Sequence, residues 1–415
     1  MISIRLLRLR LLNLNRKEEN RKLKKHAIIA IIMAVSLGVS AFLCGCVDKK
    51  SSELTPEPSD LNTIPPFKNI LPSQPASESP TKNPEIPIEK SPVVYTEKIL
   101  EINGRQNRIF LLTIDIKDPN ISVLPYLAFD RIFGFEYLQS MTEATGALAA
   151  INAGFFFEYG LPSGLVVNDG EIISAGTGKF YSLIIDESGA RFEIVKTTVN
   201  LNINGQEIQL ESYNKSPGDL KTAVFSSAYG ATDRLGYFRR AMVIENGVVT
   251  EYKKVESAVD IPKGGYVVMF PADFVFETDP MNANCSIEFT PSFSDSTMAY
   301  ECTSLLVKDG KSLAGDTMPW VGNLNHYDPR TCVGILQDGR LGFVVVDGRK
   351  ENYSSGTTGR ETADLMIELG FSDAVMLDGG GSSQMIYDGI TVNSPSSGPD
   401  GRPIAGGFMI ILNND

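Results

Sequence analysis

Two Asp-Gly dipeptides carry the first chemical signal in this chain. Asp347-Gly348 follows the apolar run Gly342–Val346, and Asp378-Gly379 follows Ala374–Leu377. Short apolar runs that end in a turn signal predict buried strands. Each aspartate therefore sits at a strand end, where a carboxylate can face a ligand. Arg349 lies two residues past the first aspartate, and Gly379-Gly380-Gly381-Ser382-Ser383 follows the second. A triple glycine lets the backbone approach a ligand closely, and its N–H groups can cradle an anion. The plain alternative is that Asp-Gly only makes a turn, and we read Asp338-Gly339 that way.

Other chemistries are excluded by what the chain lacks. It has two histidines, and His26 lies in the basic N-terminal segment, which leaves His326 alone in the body of the protein. A multi-histidine metal site is ruled out, and the GxSxG nucleophile elbow is absent. The glycine run lacks the GK[ST] of a nucleotide phosphate loop, and no GxGxxG follows a strand. There is no CxxC for a structural zinc site and no EF-hand pattern. Acidic loops can hold Ca²⁺, but nothing in the sequence indicates it, so no cofactor or metal is predicted. Carboxylate and arginine chemistry remains.

The elements that must position these groups come next. Arg360–Leu369 reads as a helix, with Ala363, Met366, Ile367 and Leu369 apolar and Gly370 as its stop. Strand, helix and strand within about 35 residues is the βαβ spacing. It predicts a parallel pair with a right-handed crossover, with both aspartates at one sheet edge. Elsewhere the chain is rich in hairpin signals: Asn103-Gly104, Asp169-Gly170, Asn204-Gly205, Asn246-Gly247, Asp309-Gly310, Asp338-Gly339 and Asp388-Gly389. A further helix is expected over Phe135–Thr142, leading into a strand over Gly146–Ile151. No fixed-period repeat is visible, which argues against a solenoid or propeller. The fold class expected is α+β: hairpin-rich mixed β-sheets, a few helices and one βαβ unit near the C-terminus.

The same residues resemble the phosphodiester glycosidase family. Ile151–Phe156 resembles its N-G-G-F-F segment, with Ala153 in place of a glycine, and Pro162–Asn168 resembles the P-x-G-L-V stretch that follows. Asp328-Pro329-Arg330-Thr331 with Gly334 resembles N-P-R-T-x-x-G. Val346–Arg349 with Gly356, then Glu361 and Ala363, continue the order. Leu377–Ser383, LDGGGSS, is the most specific match, and Asn393–Pro395 with Arg402-Pro403 closes the pattern. Met376 and Gln384 depart from the residues common at those places. The resemblance covers roughly residues 100–415, with a less typical middle near 195–320.

The resemblance implies cleavage of a sugar from a phosphodiester at the anomeric carbon. A phosphate ester is a weak base and leaves with little protonation, but it needs positive charge to hold it. Arg330, Arg349 and Arg402 are the candidates, because a guanidinium matches two phosphate oxygens. A carboxylate must stabilise or attack an oxocarbenium-like centre, or activate water. Asp378 comes first, then Asp347 and Glu361. Asn152, Thr331, Gly379, Gly380, Gly381, Ser382 and Ser383 complete the expected substrate- and phosphate-binding set. Each has a plainer role open to it. Arg330 can fix a loop, Asn152 can bond a turn backbone, and the two serines can satisfy backbone groups. Glu361 suits the first turn of a helix. Phe155-Phe156-Phe157 reads as core, with one ring able to stack on a sugar.

Composition sets the organisation around this site. The chain has 415 residues, 42% apolar and 21% charged, enough to bury a sizeable core. Its net charge of −12 argues against nucleic acid as a partner. Residues 1–45 hold nine basic residues followed by the uncharged run 27–45, a signal-peptide pattern. It ends in Leu43-Cys44-Gly45-Cys46, which resembles a bacterial lipobox and makes Cys46 the expected lipidation site. Residues 46–92, with ten prolines between 47 and 92, read as an extended tether. Residues 93–415 read as one body, the phosphodiester glycosidase-like domain of the resemblance. Cys285 and Cys302 are the nearest pair for a disulfide, with Cys332 left over. The expected protein is a hydrolase held by a lipid anchor at the extracellular face of a bacterial membrane. Its expected partner is a glycan or sugar-phosphate substrate. The alternative is a non-catalytic carbohydrate-binding lipoprotein on the same fold.

Overall fold

The computed structural model describes residues 91–216, 218 and 221–413. The signal segment, Cys46 and nearly all of the tether lie outside these residues. Among the described residues no helix is long and apolar enough to cross a membrane.

Strands make up 48% of the structure and helices 9%, in small antiparallel sheets arranged as a propeller-like ring. That overturns the α+β expectation and the argument against a propeller. Among the described residues only one short pairing is parallel, Ser212-Tyr213 beside Ala223–Ser226. The hairpin signals explain why. Six of the seven dipeptides have both residues at positive φ, as at Asn103 (49°) and Gly104 (75°), the geometry of a type I′ turn. Asp338-Gly339 is the exception, with only Gly339 at positive φ. Tight two-residue turns join antiparallel neighbours, so a chain built on them closes into antiparallel sheets.

Two of the sheets position the site. The strands and helices used below are β1 (Val93–Ile102), β2 (Arg105–Ile114), β3 (Ile121–Leu127), α1 (Leu138–Thr145), β4 (Ala149–Asn152), β5 (Leu305–Lys308), β6 (Arg330–Leu336), β7 (Leu341–Val346), α2 (Gly359–Glu368), β8 (Phe371–Met376), β9 (Met385–Tyr387) and β10 (Gly406–Leu412). The first sheet runs β1-β2-β7-β6-β8-β5, with Lys311-Ser312 at its edge. The second runs β9-β4-β10-β3, with Ile390-Thr391 beside β9.

The βαβ unit is absent. β7 and β8 do not pair; β6 lies between them, antiparallel to both. The hairpin at Asp338-Gly339 delivers β7 next to β6, and α2 returns the chain to the far side of β6. Two strands that flank a common antiparallel neighbour still run the same way. The ends of β7 and β8 and the start of β6 therefore meet at one sheet edge, with Arg330 opposite Val346 and Cys332 opposite Met376.

Alternation along the first sheet splits its side chains between two cores. Phe110, Leu112, Val333, Phe343, Val345 and Val375 pack with Ile151, Met385, Phe408 and Ile410 of the second sheet. Ile109, Val344, Val346, Ala374 and Met376 pack with Ala363, Leu365 and Met366 of α2. On the second sheet, Ala150, Ile386 and Met409 pack with Leu138 and Met141 of α1. Helix α2 starts on a capping box: Thr358 accepts from the Glu361 N–H, and the Glu361 carboxylate accepts from the Thr358 N–H.

Among the described residues Cys285, Cys302 and Cys332 are free thiols. The expected Cys285–Cys302 bridge is absent, because Cys302 is buried in the core between the two sheets while Cys285 packs on a separate one.

Gly334 and Gly342 face each other across β6 and β7. A Cβ on Gly342 would come within 2.5 Å of the Phe371 ring. The missing side chains make the slot that Phe371 fills. Gly342→Ala should therefore lower unfolding free energy by about 1–3 kcal/mol, and Phe371→Ala by about 3–5 kcal/mol, both read from urea midpoints.

Candidate active site

A cleft of about 180 Å³ opens at the shared sheet edge, lined by Phe155, Trp320, Asp328, Arg330, Arg349, Met376, Asp378, Gly379 and Gly380 among others. Asp378 leaves β8 two residues past its end and crosses to the second sheet, where its N–H donates to the Ala153 carbonyl (3.2 Å). Its carboxylate Oδ2 accepts from the Ser382 hydroxyl (2.5 Å) and from Arg402 Nη2 (3.2 Å). Oδ1 has no partner among the described residues, and the side chain keeps 17% of its surface exposed. Burial raises the Asp378 pKa, and Ser382 and Arg402 offset part of that rise. A carboxylate held by one oxygen, with the other left over in a cleft, is placed to act on a bound molecule.

The arginines meet on a carboxylate that the sequence reading left outside the candidate set. Asp328 accepts from Arg349 Nε (2.8 Å) and lies 4.0 Å from Arg330 Nη2. Arg330 is buried, and it also donates to the carbonyls of Thr357 and His326 (2.9 Å each). Burial pulls its pKa down, and Asp328 works against that. Arg349 is half-exposed and sits at φ 60°. The surrounding glycines are steric requirements. A Cβ on Gly348 would meet Pro329 N at 2.7 Å, and one on Gly356 would meet the Asp328 carbonyl carbon at 2.6 Å. The Asp347–Arg349 segment can lie against the Asp328-Pro329 backbone only because these side chains are missing. Arg402, on the other side of Asp378, also donates to Ser382 Oγ through Nε (2.9 Å).

The structure does not bring Asp347 or Glu361 into the lining of this cleft. Val346 points toward α2, so the pleat turns Asp347 to the opposite face. There its carboxylate accepts from Asn393 Nδ2 (2.9 Å), the Ser394 N–H (2.8 Å) and the Tyr353 hydroxyl (3.2 Å). Burial raises its pKa despite these donors. Glu361 caps α2, pairs with Arg105 and accepts from Asn103 Nδ2 (2.7 Å). Burial opposes its ionisation, but Thr358, Asn103 and Arg105 hold its pKa below the usual carboxylate range.

Asn152, Thr331 and Ser383 spend their polar atoms inside the protein. Asn152 Oδ1 accepts from the Thr331 hydroxyl (2.9 Å) and the Gln384 N–H (3.1 Å). Its Nδ2 donates to the Ala153 and Asp378 carbonyls (3.1 and 2.7 Å). Thr331 also bonds Ser383 Oγ (3.0 Å). These residues position Asp378. In the glycine loop, the N–H groups of Gly380, Ser382 and Ser383 bond the carbonyls of Pro329, Gly379 and Gly380. Three of the five donors expected to cradle an anion are thus used within the fold.

Trp320 escaped the sequence reading. It is the chain's sole tryptophan, flanked by Pro319 and Gly322, a position that itself signals an exposed turn. It stands at φ 71° and is 40% exposed. Its ring stacks on Phe155 (6.0 Å, 16°) and meets Phe157 edge-on (4.9 Å). A bulky residue keeps a left-handed backbone only where its surroundings enforce it, and such positions cluster at functional sites. Among the described residues no group of three or more His, Cys, Asp or Glu is placed to hold a metal ion.

Two consequences follow from this geometry. Asn152→Ala leaves the Gln384 N–H and the Asp378 carbonyl unpaired, and should cost at least about 2 kcal/mol in chemical denaturation. Asp378 has a native pKa above its unfolded one, so the native state binds more protons between the two values. Its contribution to stability falls as pH rises through that window and stays unfavourable above it. Asp378→Asn should then raise Tm at neutral pH and flatten the fall of Tm with rising pH; an unchanged profile would show that the charge is not desolvated.

Comparison with known proteins bears on this site. Residues 220–411 match the family model described as phosphodiester glycosidase, a stretch that includes Arg330, Asp378 and Arg402. Over 93 residues the chain is 40% identical to the SPbeta prophage-derived uncharacterized protein YomE of Bacillus subtilis strain 168, which is 22% of this chain and 14% of that protein. A hypothetical protein from Synechocystis shares the fold with a TM-score of 0.66 at 19% identity, over 77% of this chain and 62% of that one. A Burkholderia pseudomallei K96243 protein, inferred to be exported, shares it with a TM-score of 0.60 at 22% identity, over 74% of each chain. The chain thus spans less than two thirds of the curated relative and of the Synechocystis protein. What it resembles over its C-terminal half is a phosphodiester glycosidase.

Proposed function

We propose that this protein hydrolyses sugar-1-phosphodiesters, releasing the sugar and a phosphate monoester, and that it does so outside the bacterial cell. The observation that carries the reading is the Asp378 carboxylate, held by Ser382 and Arg402 at a cleft that Arg330 and Arg349 also line. The family-model match supports the same reading.

The chemistry follows from charge. Breaking the anomeric C–O bond builds positive charge on the sugar and negative charge on the departing phosphate. Asp378 Oδ1 supplies the negative charge that the sugar carbon needs. Arg349, half-exposed beside Gly380, and Arg402 hold the phosphate oxygens, since charge-assisted guanidinium–phosphate bonds are strong and can be bidentate. Such a leaving group departs as a weak base, so no second carboxylic acid is required at the cleft. That agrees with an Asp347 whose oxygens are already occupied on the far face of β7. The Trp320 and Phe155 rings supply an apolar face against which a sugar can stack.

The test is release of reducing sugar from α-linked sugar-1-phosphodiesters, led by N-acetylglucosamine. Asp378→Asn should lower kcat by about 10²–10⁴-fold. Arg349→Met should mainly raise KM, by about ten- to a hundredfold, the loss of one charge-assisted bond. Asp347→Asn should change kcat far less than Asp378→Asn. Binding of these diesters without turnover by the wild-type protein would instead favour the non-catalytic carbohydrate-binding reading.

A further inference from the structure

We infer that the substrate is a chain, and that a second subsite beside the cleft takes the adjoining repeat of a phosphodiester-linked glycan. The inference rests on the reading above and extends it from a bond to a polymer.

The aromatic surface does not stop at the cleft. Phe157, edge-on to Trp320, is 37% exposed, and Tyr159 beyond it is 73% exposed. Tyr159 stands at φ 62°, so a second large ring is held out to solvent on a left-handed backbone. The 155–161 loop is pinned in that shape. The Gly134 N–H donates to the Tyr159 carbonyl (3.0 Å), and a Cβ on Gly160 would meet the Gly134 carbonyl oxygen at 2.1 Å. Exposed aromatic faces fixed in this way suit the flat apolar faces of sugar rings.

Behind Phe157 lies a separate pocket of about 190 Å³, lined by Ser163, Thr177, Ser212, Tyr213 and Lys215 among others. The Lys215 ammonium sits 4.1 Å from the Phe157 ring centre and makes no ion pair or hydrogen bond among the described residues. The Ser163 hydroxyl is buried there without a partner among the described residues. An unpaired cation and an unsatisfied hydroxyl in one pocket match an anionic, oxygen-rich group such as the next phosphodiester. Of the acids around it, Glu211 lines the pocket itself and pairs with Lys221, and both Glu301 oxygens accept from Thr177. The pocket and the cleft are joined by Phe157, which touches Lys215 on one side and Trp320 on the other. A lipid surface is the less favoured occupant, because past residue 45 the chain carries a net charge of −19 and anionic headgroups would be repelled.

The sole tryptophan makes binding measurable without turnover. We would titrate Asp378→Asn with phosphodiester-linked N-acetylglucosamine oligomers of one, two and four repeats and follow Trp320 fluorescence. Kd should fall about tenfold from one repeat to two and change little beyond. Lys215→Met should abolish that gain and leave the single-repeat Kd unchanged. Tyr159→Asn should do the same while keeping a residue that tolerates the left-handed backbone. Equal Kd at every length, a gain that survives both variants, or no binding of any oligomer would overturn the subsite. So would binding of phosphatidylcholine vesicles that the same variants abolish. Hydrolysis by wild type without length dependence would sink the subsite alone; length-dependent binding without hydrolysis would sink the glycosidase reading alone.

Discussion

A single buried amide holds the two halves of the cleft together. Asn152 ends β4 in one sheet and bonds Thr331 of β6 in the other, together with the backbone on both sides of the glycine loop. Side-chain amides have two donors and two acceptor lone pairs, and here every capacity is used within the protein. Buried polar groups of this kind are costly when unpaired and specific when paired. The position of Asp378 depends on this arrangement, because its carbonyl is one of the four partners. The catalytic carboxylate of the proposed reaction is thus fixed through its backbone, and its side chain needs only Ser382 and Arg402.

The cleft concentrates opposing demands. It holds Asp378 in a setting that disfavours its charge, a guanidinium buried at Arg330, and left-handed backbone at Arg349 and Trp320. Each of these costs folding free energy, and each occurs beside the others at one sheet edge. The two cores flanking the first sheet supply the compensating burial. Strain gathered at one place and offset elsewhere is the usual signature of a functional site.

Asp347 shows how one local rule can separate two similar residues. Both aspartates follow apolar strands and precede glycine, and both strands end at the same edge. Asp347 directly follows a residue facing α2, so the pleat sends its carboxylate to the other face, among donors from 353 and 393–394. Asp378 comes after an additional residue, Leu377, and has left the strand, so the cleft receives its carboxylate. Glu361 has a different history: a Thr-x-x-Glu capping box was present in the sequence at Thr358, and it accounts for that carboxylate.

Local rules were readable in the chain itself. The type I′ turns, the start and stop of α2 and the runs that become β7 and β8 all depend on residues within a few positions of one another. So does the exclusion of a multi-histidine metal site, a CxxC zinc site and a nucleotide phosphate loop, which needs only the inventory. The insertion of β6 between β7 and β8 was not readable, because strand order depends on contacts between segments far apart in sequence. The same holds for the propeller-like arrangement, for the three unpaired cysteines on separate cores, and for Asp328 and Trp320 arriving at the cleft. Spacing placed both aspartates at one edge correctly in outcome though by a wrong topology, since parallel direction survives an intervening antiparallel strand. Which carboxylate faces the cleft was decided only in three dimensions, by the pleat and by the crossing of residue 378 to the second sheet.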